Sequence, residues 1–266
     1  MDKRQMTNAE YHAHEGVSKS DLDLIHISPA HYIARKEHDT QSTDLLFGSA
    51  FHKFVLEGNS FADEFAVAPV CDRRTKEGKA IYADFMAQAQ GKSVITPEQM
   101  DTIIYMREEV FRHPIASKLL SGGAAEQSVF WDECGTLCKC RPDYLKDKYC
   151  IDLKTTRSAK PGEFMKSAYN YRYHVQAAWY LRGLEAAGAD AREFIFIAVE
   201  KEPPYAVCVY LAGEDMLSLG ADEAEKDLTV YKNCVQTGNW YAYDEKPTLH
   251  ELMLPAWARK EIYGNE

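Results

Sequence analysis

The sequence predicts an α/β fold: a central mixed β-sheet with a crossover helix, flanked by helices and preceded by an added helical region. Three observations carry this. Up to about residue 121 the chain reads mainly as capped helices. Between 126 and 155 three short alternating or apolar runs read as strands. A long helical stretch over 163–187 then leads to two more strands, at 193–200 and 205–211, completing a β-β-β-α-β-β order.

The bulk properties suit such a fold. At 266 residues, 27% charged and 45% hydrophobic, the chain can bury a full core. No apolar run approaches the ~20 residues of a membrane span, and no apolar signal core follows the N-terminus. Seven cysteines in a chain with no export signal favour reduced thiols and a cytoplasmic location. The net charge of −10 does not advertise nucleic-acid binding. Charge is uneven, however: residues 141–172 hold eight Lys/Arg against four acids, and Arg73-Arg74-Thr75-Lys76 with Lys79 forms a second basic cluster. This pattern suits a protein that admits an anion to one groove.

In chain order, residues 1–17 are polar and expected to be loose. Ser18 or Ser20 caps a first helix, and Ser28-Pro29 restarts a short one. The four histidines here (His12, His14, His26, His31) have irregular spacing and read as surface or core residues. Ser42-Thr-Asp44 caps a helix over about 44–57, where Gly48-Ser49-Ala50 forms a small patch before His52. Residues 61–70 look extended, and a helix follows at 79–90. Gly91-Lys92-Ser93 is not a phosphate loop, because Met86 stands where that motif needs a glycine. Thr96-Pro97 starts a helix to about His113, and His113-Pro114 restarts it. From 126 a three-strand meander is expected, and from 163 one continuous helix. Its stripe Tyr169, Tyr173, Gln176, Tyr180 would form one semi-polar face. Residues 213–234 make a last long helix. The tail from 237 has little period, and is expected to wrap the domain or meet a neighbouring subunit.

The centre of the meander is a hairpin, with strands over 136–145 and 148–155 joined at Lys146-Asp147-Lys148. Alternation puts Ile151 and Leu153 on one face and Asp152 and Lys154 on the other. Pro142 cannot donate to a ladder, so the first strand bends or ends there, with Asp143 at the irregular point. Two acids and a lysine so placed make a cage for a hard cation with a water beside it. Cys134, Cys138, Cys140 and Cys150 are close in sequence but lack the tight Cys-x2-Cys pairing of zinc or cluster sites, and read as small buried strand residues.

Asp143, followed by Asp152-Leu153-Lys154, resembles the PD-(D/E)xK nuclease core, with Pro142-Asp143 supplying the literal Pro-Asp. Gly48-Ser-Ala-Phe-His52, Arg141-Pro142-Asp143, Asp152-Leu-Lys-Thr-Thr156 and Gln176-x-x-x-Tyr180 are similar, in order, to the elements of its RecB-like branch. Ser18-Lys-Ser-Asp-Leu, Ser28-Pro-Ala, Cys138-Lys-Cys-Arg-Pro-Asp, Tyr171-Arg-Tyr-His-Val-Gln and Leu254-Pro-x-Trp-Ala extend the likeness, over about 17–260, to the C-terminal nuclease domain of the RecE type (exonuclease VIII).

The resemblance implies a restriction-endonuclease-like core. It makes 18–260 a single nuclease domain: a helical part (18–121), the core (122–236), and a tail (237–266). It implies that His52, Asp143, Asp152 and the Leu153 carbonyl hold Mg²⁺, or Mn²⁺ in its place. Lys154 would orient and help deprotonate the attacking water. Gln176 and Tyr180 would hold DNA or support the ligands; Glu126, by its place at the start of the strand before the hairpin, is a candidate extra or supporting ligand. The implied activity is a 5′→3′ double-strand DNA exonuclease that leaves 3′ overhangs for a RecT-type annealing protein in recombination. The implied assembly is a homotetrameric ring threading duplex DNA, with Arg73, Arg74 and Lys79 as candidate phosphate contacts. Rival readings are a Cas4-like structure-specific end trimmer and a non-catalytic DNA-end-binding protein.

Overall fold

The computed structural model describes residues 2–4, 6–37 and 43–263. The N-terminal part runs β1 (Asp2–Arg4), α1 (Asn8–Ala13), α2 (Lys19–Ile27), α3 (Pro29–Glu37) and α4 (Thr43–Leu56). It continues through α5 (Phe61–Glu64), β2 (Phe65–Val67), α6 (Lys76–Gln88), β3 (Ser93–Ile95), α7 (Pro97–Arg112) and α8 (Pro114–Leu119). Next come β4 (Ala124–Ala125), β5 (Ser128–Asp132), β6 (Leu137–Cys140), β7 (Tyr144–Lys146) and β8 (Tyr149–Thr156). The chain closes with α9 (Pro161–Asn170), α10 (Tyr173–Ala186), β9 (Glu193–Glu200), β10 (Val207–Leu211), α11 (Glu214–Thr237) and α12 (Ala256–Tyr263).

The central sheet has five strands in the order β10-β9-β8-β7-β4. Only β8 and β9 are parallel within it, and α9 and α10 make the crossover that a parallel pair requires. This is the mixed sheet the sequence predicts. Alternation along β8 and β9 feeds two cores. Ile151, Leu153, Ile195, Ile197 and Val199 share a core with α4, α7 and α8 through Phe51, Val55, Ile103, Met106, Val110 and Leu119. Cys150, Phe194, Phe196 and Ala198 face α10 and α11 through Val175, Trp179, Ala224 and Leu228. Leu153 and Ile151 are fully buried, each contributing about 1.5–3 kcal/mol.

Several local expectations are corrected. The predicted meander splits at Arg141-Pro142-Asp143: β6 pairs with β5 in a separate three-stranded sheet, while β7 joins the central one. The polar start is not loose throughout, since β1 pairs with β5 and a Thr7 capping box starts α1. Residues 61–64 form a helical turn, and only 65–67 are extended. The predicted helix over 163–187 is two helices, broken at Tyr171-Arg172, where Arg172 has φ 53°. Tyr169 therefore lies on α9, apart from the α10 face carrying Tyr173, Gln176 and Tyr180. Ser18 rather than Ser20 caps α2, by a capping box with Asp21. The expected Ser42 cap lies outside the described residues. In the tail, Tyr241 accepts a hydrogen bond from the Ala30 amide (3.0 Å) and Trp240 stacks on Tyr32, so its first part wraps the domain. No described helix is long and apolar enough to cross a membrane.

Candidate active site

The site forms where β7 gives out beside β8. Pairing of β7 with β8 ends at Ile151, so the next amide on that edge, Leu153 N–H, has no strand partner. It donates instead to Asp143 Oδ2 (2.7 Å). Pro142 causes this geometry: it cannot extend the ladder, and the residue after it turns its carboxylate to the open edge. His52, from α4, brings Nδ1 to 3.2 Å from Asp143 Oδ2. Gly48, one turn earlier on the same helix face, has open space where a Cβ would stand. The sequence reading of this small patch as a place for another backbone to come close is corrected at Gly48, where nothing lies within 4 Å of that position. The open space leaves room beside His52.

Glu126 completes a cluster. Its ligand atom and those of His52 and Asp143 lie within 4.8 Å of one another. Glu126 has a left-handed backbone (φ 51°), its amide donates to the Asp143 carbonyl (3.0 Å), and Arg141 Nε donates to Oε2 (2.6 Å). Holding a non-glycine residue so is unfavourable, and such positions gather at functional sites. Arg141 also lies over the Tyr11 ring, so the N-terminal segment supports the site.

Asp152 sits deeper, at 1% exposure, and outside that cluster. Gln176 Nε2 donates to its Oδ1, and Gln176 Oε1 accepts from Lys154 Nζ (2.9 Å). Lys154 Nζ lies 2.7 Å from Asp152 Oδ2, an ion-pair distance. That oxygen nevertheless has no donor with hydrogen-bond geometry. Lys154 also lies over the Tyr173 ring, 4.7 Å from its centroid.

The electrostatics follow from burial and crowding. Burial, then Asp143, pushes Asp152 up to about 6 and Glu126 up to about 7, against the pull of nearby cations. Burial would raise Asp143 too, but His52, Lys154 and the Leu153 amide outweigh it and hold it low. Burial disfavours the His52 imidazolium, yet Asp143, Asp152 and Glu126 raise it to about 9. Burial also opposes charge on Lys154, and Asp152 and Asp143 outweigh it, so its pKa lies above the ordinary value. These acids favour the charged form of Lys154, which can orient a water and balance negative charge.

These residues fit a divalent cation. Two carboxylates and an imidazole converge, and a third carboxylate keeps a buried oxygen without a donor. The set of oxygens with one nitrogen suits a hard ion. Of the ligands expected from sequence, His52 and Asp143 meet, Glu126 joins them, and Asp152 stands next to them in the grip of Gln176 and Lys154. Tyr180 is half-buried against Phe194, and burial raises its hydroxyl well above the usual range. Arg73, Arg74 and Lys79 are exposed around the start of α6. Arg73 stacks on Tyr82, and no hydrogen bond or ion pair links the three to the site. The sequence reading missed Arg141 as the anchor of Glu126 and Tyr173 as the ring beneath Lys154. Cys138, Cys140 and Cys150 are fully buried, as expected, but Cys134 is exposed in a turn.

Comparison with known proteins bears on the fold and the family. A solved structure of a candidate exonuclease from Eubacterium rectale superposes with a TM-score of 0.58 at 14% identity, covering 98% of this chain and 100% of that one. That likeness speaks for the fold. No curated protein matches the sequence. Residues 18–249 match the PDDEXK-like domain of unknown function (DUF3799), and the chain, with its Asp143…Asp152-Leu-Lys154 site, belongs to that PD-(D/E)xK family.

Proposed function

We propose that the protein is a divalent-metal-dependent DNA exonuclease of the RecE type. The observation that supports it most is the grouping of His52, Glu126 and Asp143 beside an Asp152–Lys154 pair on one strand edge. His52, Asp143 and Asp152 would hold the ion, with Glu126 as a further ligand. In a strand a residue's N–H and C=O leave the same edge, so the Leu153 carbonyl faces the side where its amide meets Asp143. Bound Mg²⁺ or Mn²⁺ supplies Lewis acidity toward the scissile phosphate and lowers the pKa of its water. Lys154 donates to that water and to the phosphate oxygens. Gln176 fixes Lys154 and Asp152 relative to each other. Tyr180 backs Gln176 on the next turn.

Polarity, recombination and assembly belong to the same reading. The 5′-ended strand of a linear duplex is degraded, leaving a 3′ overhang for a RecT-type annealing protein. A ring of subunits would reconcile a net charge of −10 with DNA, the exposed Arg74 and Lys79 side chains facing the channel. Linear duplex labelled at the 5′ or the 3′ end, and circular duplex, are incubated with Mg²⁺, Mn²⁺ or EDTA. Release of 5′ label from linear DNA alone, lost in EDTA and in Lys154→Ala, is expected. Cleavage of the circle refutes the exonuclease assignment, and undiminished release by Lys154→Ala refutes the site.

A further inference from the structure

Residues two apart on a continuous helix point to different sides and do not touch. Tyr171 and Tyr173 nevertheless stack, with centroids 5.8 Å apart and planes at 26°. The break at Arg172 builds the pair. Its left-handed backbone is sterically disfavoured for an arginine, so something must hold it. Three carboxylates do: Asp23 (3.1 Å), Glu223 (3.2 Å) and Asp227. Lys19, itself paired with Asp23 (2.6 Å), donates to the Tyr171 carbonyl (2.9 Å). The kink is thus pinned from α2 and α11.

The pair leads outward from the chemistry. Lys154 lies over Tyr173, and Tyr171, one ring further out, is 64% exposed. Tyr169 is 63% exposed and stacks on His174 at 5.6 Å and 13°. Two rings open to solvent, each backed by an inner ring, therefore flank a braced kink beside the catalytic lysine. Fixed aromatic faces of this kind receive nucleobases without regard to sequence, since every base has a π-face.

We propose that Tyr171 is a base-stacking subsite, receiving one unpaired base of the strand whose phosphate lies at Lys154. The inference rests on the nuclease reading and adds that the duplex end is frayed at the site. It is tested by kcat/KM with Mg²⁺ on blunt linear duplexes, each carrying one abasic residue at a successive position near the end. In the wild-type protein one position is expected to cost at least about fivefold. Tyr171→Ala is expected to lose the same factor on natural DNA and nothing more at that position, while Tyr171→Trp retains activity. An abasic scan that is flat in a protein that cuts DNA overturns the stacking. So does a Tyr171→Ala loss that is equal on natural and every abasic duplex, because a structural role gives that pattern. Wild-type protein that leaves all duplexes intact overturns the nuclease reading, and this inference with it.

Discussion

Replacing Gln176 by methionine keeps most of its volume and removes both of its hydrogen bonds. One goes from Nε2 to Asp152 Oδ1, the other from Lys154 Nζ to Oε1. Hydrogen bonds to charged groups contribute about 1.5–3 kcal/mol each. The two losses differ in consequence. Asp152 is 1% exposed, so its freed oxygen finds no water, and its second oxygen already lacks a donor. The Lys154 side chain is 17% exposed and can turn its free N–H to solvent. The Asp152 side therefore carries most of the cost, and Gln176→Met should destabilise the metal-free protein by about 2 kcal/mol. Urea unfolding in EDTA measures this. Cleavage should fall as well, by about ten- to a hundredfold in kcat with KM little changed, because Lys154 loses its fixed direction while DNA contacts stay. Stability within 0.5 kcal/mol of wild type together with unchanged kcat would refute the clamp.

Other outcomes follow from the same geometry. Glu126→Gln keeps the size of the side chain but removes its charge, so the Mg²⁺ needed for half-maximal cleavage should rise about tenfold; an unchanged titration would exclude Glu126 as a ligand. In EDTA, His52 with its pKa raised to about 9 contributes stability that is complete below about pH 6.5 and is lost as pH climbs through 9. The ceiling is on the order of 3 kcal/mol, and His52→Gln should flatten that slope of unfolding free energy against pH. Gly220→Ala places a Cβ 2.0 Å from the His174 carbonyl oxygen, a backbone atom that cannot swing away. It should cost about 3 kcal/mol in thermal unfolding by prising α11 from α10, and a wild-type Tm would mean that the two helices do not pack this closely.

What the sequence made legible was whatever depends on local pattern. Alternation along β8 placed Ile151 and Leu153 in one core and Asp152 beside Lys154. Thr96-Pro97 marked a helix start that the structure keeps. What stayed hidden depends on distant partners. Arg172 interrupts the crossover helix without a glycine or proline, because carboxylates from α2 and α11 hold it in place. The strand break at Pro142 was legible, but not that β6 lies in a separate sheet with β5 and β1, where β1 and β5 join residues over a hundred positions apart. Glu126 enters the cluster through a left-handed backbone and an Arg141 hydrogen bond, and neither leaves a mark on strand periodicity.

The charge balance of the site gives these placements a common reason. Glu126, Asp143 and Asp152 face His52, Lys154 and Arg141, so in formal charge the group is nearly neutral, yet two of the three carboxylates stand well above their ordinary pKa. Each cation is already engaged, Arg141 with Glu126, Lys154 with Asp152 and Gln176, and His52 with Asp143, and burial outweighs them at Glu126 and Asp152. A lysine built into the middle would settle all three acids and fill the space they surround. Leaving them short of positive charge, next to the room that Gly48 keeps open, favours instead an exchangeable ion of higher charge. The stability given up in the metal-free state is then recovered as binding energy for that ion.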